Sequence, residues 1–381
     1  LSSSSAASDV YKRQGLKQDV KLETTVNEND EVVINNDNMD KFLRGELKME
    51  DEHLDALINK KVKQIQQDQY LKDIEEFGYD GLFTFEGPHD PFLPLSIAAF
   101  NTKKIQLITS IAVAFARNPM ILANIAYDLQ LLSEGRFILG LGSQIKPHIE
   151  RRFSMPWSSP AKRMKEMVLA IKAIWEAWEN GTKLDFKGEF YNHTLMTPFF
   201  NPGKADFGLP KIYLAGVGPV KTQDAGEEAD GIMDHPFHTA QSMKNITLPS
   251  VKKGNLNSLN DSFEISVGVM IASSNDQDSL DQAINGLRSQ IAFYGSTPAY
   301  KIVLEQHGWE HIHVELNRLS KKGSWNDMPT LISDEILETV GVVGNAEEVT
   351  KTLQHRYKEF ADRIAPTFFN TDLEHQSKIL K

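Results

Sequence analysis

The sequence predicts an α/β fold, a (β/α)8 TIM barrel with insertions at the C-terminal face of its strands. Three observations carry that expectation. About eight apolar, strand-like runs are nearly all separated by helical patterns, and repeated βα units require parallel strands joined by right-handed crossovers. The length of 381 residues, 40% of them hydrophobic, supplies core enough for one such barrel, whereas an open doubly wound sheet would suit five or six strands better. Two long segments, 186–208 and 297–329, exceed ordinary loops and are expected to cap the C-terminal ends of the strands.

Taken in order, residues 1–14 (LSSSSAASDVYKRQ) are Ser/Ala-rich, show no periodicity and resemble translated adapter sequence. They are set aside as a non-native leader, which leaves 15–381 as a single barrel domain. Residues 20–26 (VKLETTV) alternate as a strand, and the acidic, Asn-rich stretch 27–55 reads as an insertion loop. A helical pattern over 59–77 stops at Gly78, a natural C-terminal cap, before a buried strand at 81–85 (GLFTF). Next come a strand over 104–114 (KIQLITSIAVA), a helix over 119–132 and a strand over 136–141 (RFILGL) that enters a Gly-Ser turn. The helix at 163–178 places Met164, Met167, Val168, Ile171, Ile174 and Trp175 on one face, to pack against a sheet. Strand 211–215 leads into Gly216, Gly218 and Pro219, a helix to Glu228 and a short strand at 231–233. Strands at 263–272 and 364–369 complete the count, with helical stretches around 282–294 and 346–360 between them.

Forty-one basic against 52 acidic residues give a net charge of −11, which argues against grip on nucleic acid through phosphate neutralisation. The absence of cysteine removes disulfides, thiolate metal sites and cysteine nucleophiles together. No apolar run approaches the ~18–20 residues of a membrane helix, so a cytoplasmic protein is expected. HExxH, GxSxG and Walker A patterns are all missing, and His311 with His313 has no third ligand at metal spacing, so no metal site is expected.

Three motifs remain. In Gly140-Leu141-Gly142-Ser143, glycine lets a ligand approach bare backbone at a strand end and Ser143 adds a hydroxyl; Ile145 stands where a dinucleotide fingerprint needs its third glycine. Ala215-Gly216-Val217-Gly218-Pro219 presents backbone N–H groups ahead of a helix, a suitable phosphate cradle, although two tight βα turns would look the same. Glu86-Gly87-Pro88-His89-Asp90 sets a carboxylate and an imidazole at the barrel mouth, where His89 is suited to proton exchange near neutral pH. His148 follows the Gly-Ser turn and could line the same mouth. Phe92, Phe115, Phe153, Trp157 and Phe237 suggest an apolar mouth, with ordinary packing as the plainer reading of each.

At these residues the sequence resembles the luciferase-like monooxygenase superfamily, and within it the coenzyme F420-dependent oxidoreductases. The runs that carry the likeness are FGYDGLFTFEGPHDPFLPLSIAA, ITSIAVAFARNPMILANIAYDLQLLSEGRFILGLGSQIKPHIERRFSMPW and IYLAGVGPVKTQDAGEEADG. The resemblance implies a bacterial luciferase-like barrel whose mouth holds a deazaflavin or flavin, backed by a third-strand bulge with a non-proline cis peptide at Ser110-Ile111. It also implies a polar contact from Ser143, a phosphate turn at Ala215, Gly216, Val217 and Gly218, and adjacent backbone contacts at Gly231 and Ile232. His89 matches a histidine that faces the reacting centre in several members. Many members carry a glutamate shortly after the fourth-strand turn, where this chain has Gln144, Ile145 and Lys146, so His148 or Glu86 would replace it as an acid.

The implied reaction is hydride transfer between coenzyme F420 and a small organic substrate, in which the protein positions the substrate carbon and manages one proton. The alternative is an FMN-dependent two-component monooxygenase served by a flavin reductase. A barrel that binds a ligand without turnover is the reading from another class. The resemblance also implies a homodimer as one possible assembly.

Overall fold

The computed structural model describes residues 24–26, 32–34, 68–216, 218–258 and 262–380. Two compact units are distinguished, Leu1–Asp68 and Gln69–Lys381. In the first, β1 (Thr24–Val26) pairs antiparallel with β2 (Val32–Ile34). The strand expected at 20–26 therefore joins a hairpin and not the parallel ladder, and part of the stretch read as an insertion loop is itself a strand. The leader 1–14 and the rest of 27–55 lie outside the described residues.

The second unit alternates strand and helix. Its strands are β3 (Gly81–Thr84), β4 (Gln106–Thr109), β5 (Ala112–Val113), β6 (Phe137–Gly142), a two-residue pair β7 (Phe186–Lys187) and β8 (Asn192–His193), β9 (Lys211–Gly216), β10 (Gly231–Asp234), β11 (Glu264–Ser273), β12 (Val342–Gly344) and β13 (Arg363–Phe369). The parallel ladder runs β3-β4-β6-β9-β10-β11-β13, with β5 beside the end of β6 and β12 beside the end of β11. Gln106 near one end of that ladder and Arg363 at the other hydrogen-bond to each other. Only a sheet curled round on itself lets side chains from its second and last strands meet, so the fold is of the TIM-barrel type. Among the described residues no pairing joins β3 to β13.

The longer helices are α1 (Asp68–Glu76), α2 (Phe92–Asn101), α3 (Pro119–Leu132), α4 (Pro160–Asn180), α5 (Pro219–Glu228), α6 (Leu248–Ser258), α7 (Gln277–Gly295), α8 (Glu310–Lys322), α9 (Asp334–Val340), α10 (Ala346–Tyr357) and α11 (Leu373–Leu380), with short ones at Ala240–Ser242 and Lys301–Glu305. Local chemistry sets their ends. The Asn118 side chain accepts from the Ile121 N–H and Pro119 opens α3, while Gly181 at φ +61° closes α4. Odd strand positions Leu107, Leu139 and Leu141, with Ile212 and Leu214, bury against Leu122, Met167, Ile171 and Trp175 of α3 and α4. Each such side chain contributes about 1.5–3 kcal/mol when fully buried.

The two long segments differ. Between β11 and β12, helices α7 to α9 form a cap whose Ala283, Leu287, Leu316 and Leu337 pack with Met270 and Ala272 of β11 and with Phe237 past the end of β10. In the other segment, 203–208 lies along α3 and α4, held by Tyr127 to the Gly203 carbonyl at 2.6 Å, by Gln130 to the Gly208 carbonyl and by Glu179 to the Ala205 N–H, while Glu166 near the start of α4 holds the N–H groups of Glu189, Phe190 and Tyr191. Among the described residues no helix is long and apolar enough to cross a membrane.

Candidate active site

The mouth is built around a break in the ladder. β4 stops at Thr109, the Ser110–Ile111 peptide is cis, and the chain rejoins the sheet as β5. The loop after β3 grips this bulge: the Ser110 N–H donates to the Thr84 carbonyl at 2.6 Å and the Glu86 N–H to the Ile111 carbonyl at 3.0 Å. The Glu86 carboxylate accepts from the Val113 N–H at 2.7 Å and from Arg117 at 2.5 Å. Arg117 also holds Asp90 at 3.0 Å, whose other oxygen accepts the Phe92 N–H that opens α2. Opposite the bulge, a Cβ on Gly142 would stand 2.6 Å from the Ile111 side chain, and one on Gly140 only 1.7 Å from the Thr109 carbonyl oxygen. Glycine is what lets β6 close on the bulged strand.

Ser143, buried just past β6, donates to the Gln144 carbonyl at 3.1 Å, and Gln144 sits at φ +56°. His148 opens a π-turn that ends at Arg152, and it is exposed. Arg152 reaches the Gly87 carbonyl, tying this loop to the one that carries His89. His89 is exposed and makes no hydrogen bond among the described residues. Ala215 and Gly216 end β9, and Gly218 at φ +83° leads into α5, whose first turn has no side-chain cap. Val217 lies outside the described residues.

At the end of β10, Met233 faces the barrel interior with Ile138 and Tyr213, while Asp234 faces the helical layer. Burial raises the Asp234 carboxyl to about 7, with the Thr247 hydroxyl at 3.3 Å opposing it. His238 lies between the His235 carbonyl and the Tyr357 hydroxyl, each at 3.0 Å, and burial lowers it to about 4. It stands neutral beside Asp234, with Nδ1 3.3 Å from the carboxylate.

These placements correct several expectations. Glu86 is not a free acid, because both Arg117 and a backbone N–H occupy its carboxylate, and its side chain is only 6% exposed. It positions the bulge. Gly231 and Ile232 lie at the N-terminal end of β10, away from the mouth: Gly231 pairs with Tyr213 and Glu264, and Ile232 is buried under the helices. Phe92, Phe115 and Phe237 are core residues, whereas Phe85, 66% exposed, is the aromatic that stands open beside the bulge. His313 is buried and bonded to the Gly295 carbonyl. Among the described residues no cluster of three or more His, Cys, Asp or Glu could hold a metal. Arg117 and the His235–Tyr300 contact escape sequence reading, since each works through a partner 27 to 65 residues away and no local pattern signals it.

Residues 65–363 match the luciferase-like monooxygenase family. Over 303 residues the chain is 50% identical to the uncharacterized protein Rv1360 of Mycobacterium tuberculosis, spanning 79% of this chain and 89% of that one. It is 27% identical over 311 residues to the 5,10-methylenetetrahydromethanopterin reductase of Archaeoglobus fulgidus, spanning 78% and 87%. Among solved structures, the coenzyme F420 dependent tetrahydromethanopterin reductase of Methanopyrus kandleri superposes with a TM-score of 0.66 at 18% identity, covering 83% of this chain and 93% of that one. The family match takes in every strand of the parallel ladder as far as the first residue of β13, and the chain belongs to the luciferase-like monooxygenase family.

Proposed function

We propose that the protein transfers a hydride between coenzyme F420 and a small organic substrate. One observation carries this reading: the same rim offers a bulged backbone wall and, beside it, an uncapped helix N-terminus behind Gly218. A Cβ on Gly218 would meet nothing within 4 Å, and no side chain caps the first turn of α5. Backbone donors and the helix dipole favour a phosphate there. The residues present therefore fit a flat, phosphate-bearing cofactor. Ser110, Ile111 and Ser143 would back its ring, and Ala215, Gly216, Val217 and Gly218 would hold its phosphate. Relatedness by sequence to a putative coenzyme F420-dependent oxidoreductase of Mycobacterium tuberculosis, 26% identical over 297 residues, supports F420 over FMN.

When bound, the deazaflavin supplies the carbon that gives or accepts the hydride. The chain supplies the rest. His89, exposed on the loop after β3, holds or releases the accompanying proton at its imidazole. His148 flanks it on the loop that Arg152 ties to Gly87. Glu86 and Arg117 keep the bulge in place behind them.

The test is a fluorescence-quenching titration of apoprotein with oxidised F420 and, in parallel, with FMN. Tighter, saturable binding of F420 supports the proposal. Preference for FMN, with oxygen consumption when a flavin reductase supplies the reduced form, would replace it by the monooxygenase reading.

A further inference from the structure

A second polar feature lies at the mouth end of β10, the strand beside β9. In β10, Met233 faces the interior and Asp234 the helices, so strand alternation turns His235 inward again, to where the cap descends. Its ring stacks on Tyr300 with centroids 4.3 Å apart and meets the edge of Tyr294 at 4.6 Å. Its Nε2 is 3.1 Å from the Tyr300 hydroxyl, and its Nδ1 accepts the Phe237 N–H at 3.1 Å. In a neutral imidazole that second bond leaves the hydrogen on Nε2.

His235, Tyr294 and Tyr300 each keep part of their surface open. Burial nonetheless dominates their surroundings, lowering His235 to about 3 and raising Tyr300 to about 12. An inward-facing side chain at the C-terminal end of a barrel strand that stays partly open, with the cap's Tyr294 and Tyr300 against it, lines the barrel mouth. His238, itself neutral, is the titratable group that acts on His235; Tyr294 acts on Tyr300, and Gln290 bonds to Tyr294. Among the described residues, the groups that act on these side chains are phenols, an imidazole and an amide.

We infer that this part of the mouth takes the polar end of an uncharged carbonyl or alcohol substrate, with the Tyr300 hydroxyl hydrogen-bonded to the substrate oxygen and His235 positioning that hydroxyl. A phosphate ester or carboxylate would bring a charge that none of these side chains pairs, at a desolvation cost that an uncharged oxygen avoids. The identity of the occupant as substrate rests on the hydride-transfer reading; its binding does not.

The test uses the histidine Cε1–H NMR signals of the apoprotein, with the His235 signal assigned by its loss in His235→Asn. Cyclohexanone and glucose 6-phosphate are titrated separately. Cyclohexanone should move the His235 signal saturably, Tyr300→Phe should weaken that binding about 10-fold, as the loss of one hydrogen bond to an uncharged partner does, and glucose 6-phosphate should leave the signal unmoved. A saturable shift with the phosphate ester, no shift with cyclohexanone, or equal binding by Tyr300→Phe would overturn the inference. A parallel F420 titration separates the two readings. Failure of F420 to bind while cyclohexanone still moves His235 removes the cofactor assignment alone, and F420 binding without any response at His235 removes this inference alone.

Discussion

The two ends of the barrel strands obey opposite rules. At the N-terminal end, Glu264 of β11 accepts from Lys211 of β9 and from Arg363 of β13 at 2.6 Å, and Arg363 also reaches Gln106 of β4. Charges there are matched across the interior and knit four strands. At the C-terminal end the strands finish in bare glycine, a cis bulge, an uncapped helix and the exposed His89, which makes no hydrogen bond among the described residues. One end spends its charges on holding the sheet; at the other, Glu86, Arg117 and Asp90 hold the loop around the bulge, and the exceptions to good packing chemistry gather at the strand ends.

Removing a charge at the closed end should have the largest effect on stability. Glu264→Gln leaves Lys211 and Arg363 facing each other without their common partner and should cost about 3 kcal/mol at pH 7, read by chemical denaturation. Burial raises the Glu264 carboxyl, but hydrogen bonds from Lys211, Tyr213 and Arg363 outweigh it and hold the group at about 2. A depressed carboxylate contributes fully above its unfolded value, about 4.3, and loses that contribution as pH falls towards 2. The gap between wild type and variant should therefore narrow at pH 3. A gap of constant size would mean that Glu264 acts through packing and not charge.

The open end should respond in function and hardly in stability. His89→Gln is expected to lower turnover about 100-fold while F420 affinity holds and stability changes by less than about 0.5 kcal/mol. Loss of stability comparable with the Glu264 variant would place His89 in the framework and blur the contrast. Gly218→Ala falls between the two. Its φ of +83° should cost about 1 kcal/mol, and its cofactor affinity should drop while turnover of the bound complex is kept. Unchanged affinity in a quenching titration would remove the turn from the binding site.

Which parts of this contrast are legible in sequence follows from how local the physics is. Helix α3 reads as 119–132 because an Asn cap, a proline at its first position and apolar spacing all lie within the element. The break in 104–114 does not, since apolar alternation carries straight across the cis bond and suggests one strand where the structure has β4 and β5. Segment 186–208 reads as a cap from its length alone, and its place depends on Tyr127, Gln130 and Glu179 on helices that precede it. Glu86 looks like a catalytic acid until Arg117, 31 residues later, claims it. The glycine turns show in sequence where backbone is bare, but not which end of a strand they occupy, and Gly231 belongs to the closed end.

Asp234 gives the finest test, because it should reverse the pH sign seen at Glu264. Its carboxyl is buried with the Thr247 hydroxyl at 3.3 Å, and desolvation raises it to about 7. A raised carboxyl favours the fold while protonated, so stability should fall as pH climbs from the unfolded value of about 3.9 to about 7, and level off above. Asp234→Asn keeps the shape and the Thr247 bond but cannot ionise. It should flatten the melting temperature between pH 5 and pH 7.5 and exceed wild type at the upper end by about 1 kcal/mol or more. A parallel pH profile for the two proteins would mean that His238, 3.3 Å away, takes up a proton to offset the carboxylate charge. In that case the mouth end of β10 would balance its buried charge as the closed end does, and the difference between the two ends would reside in the glycine turns and the bulge alone.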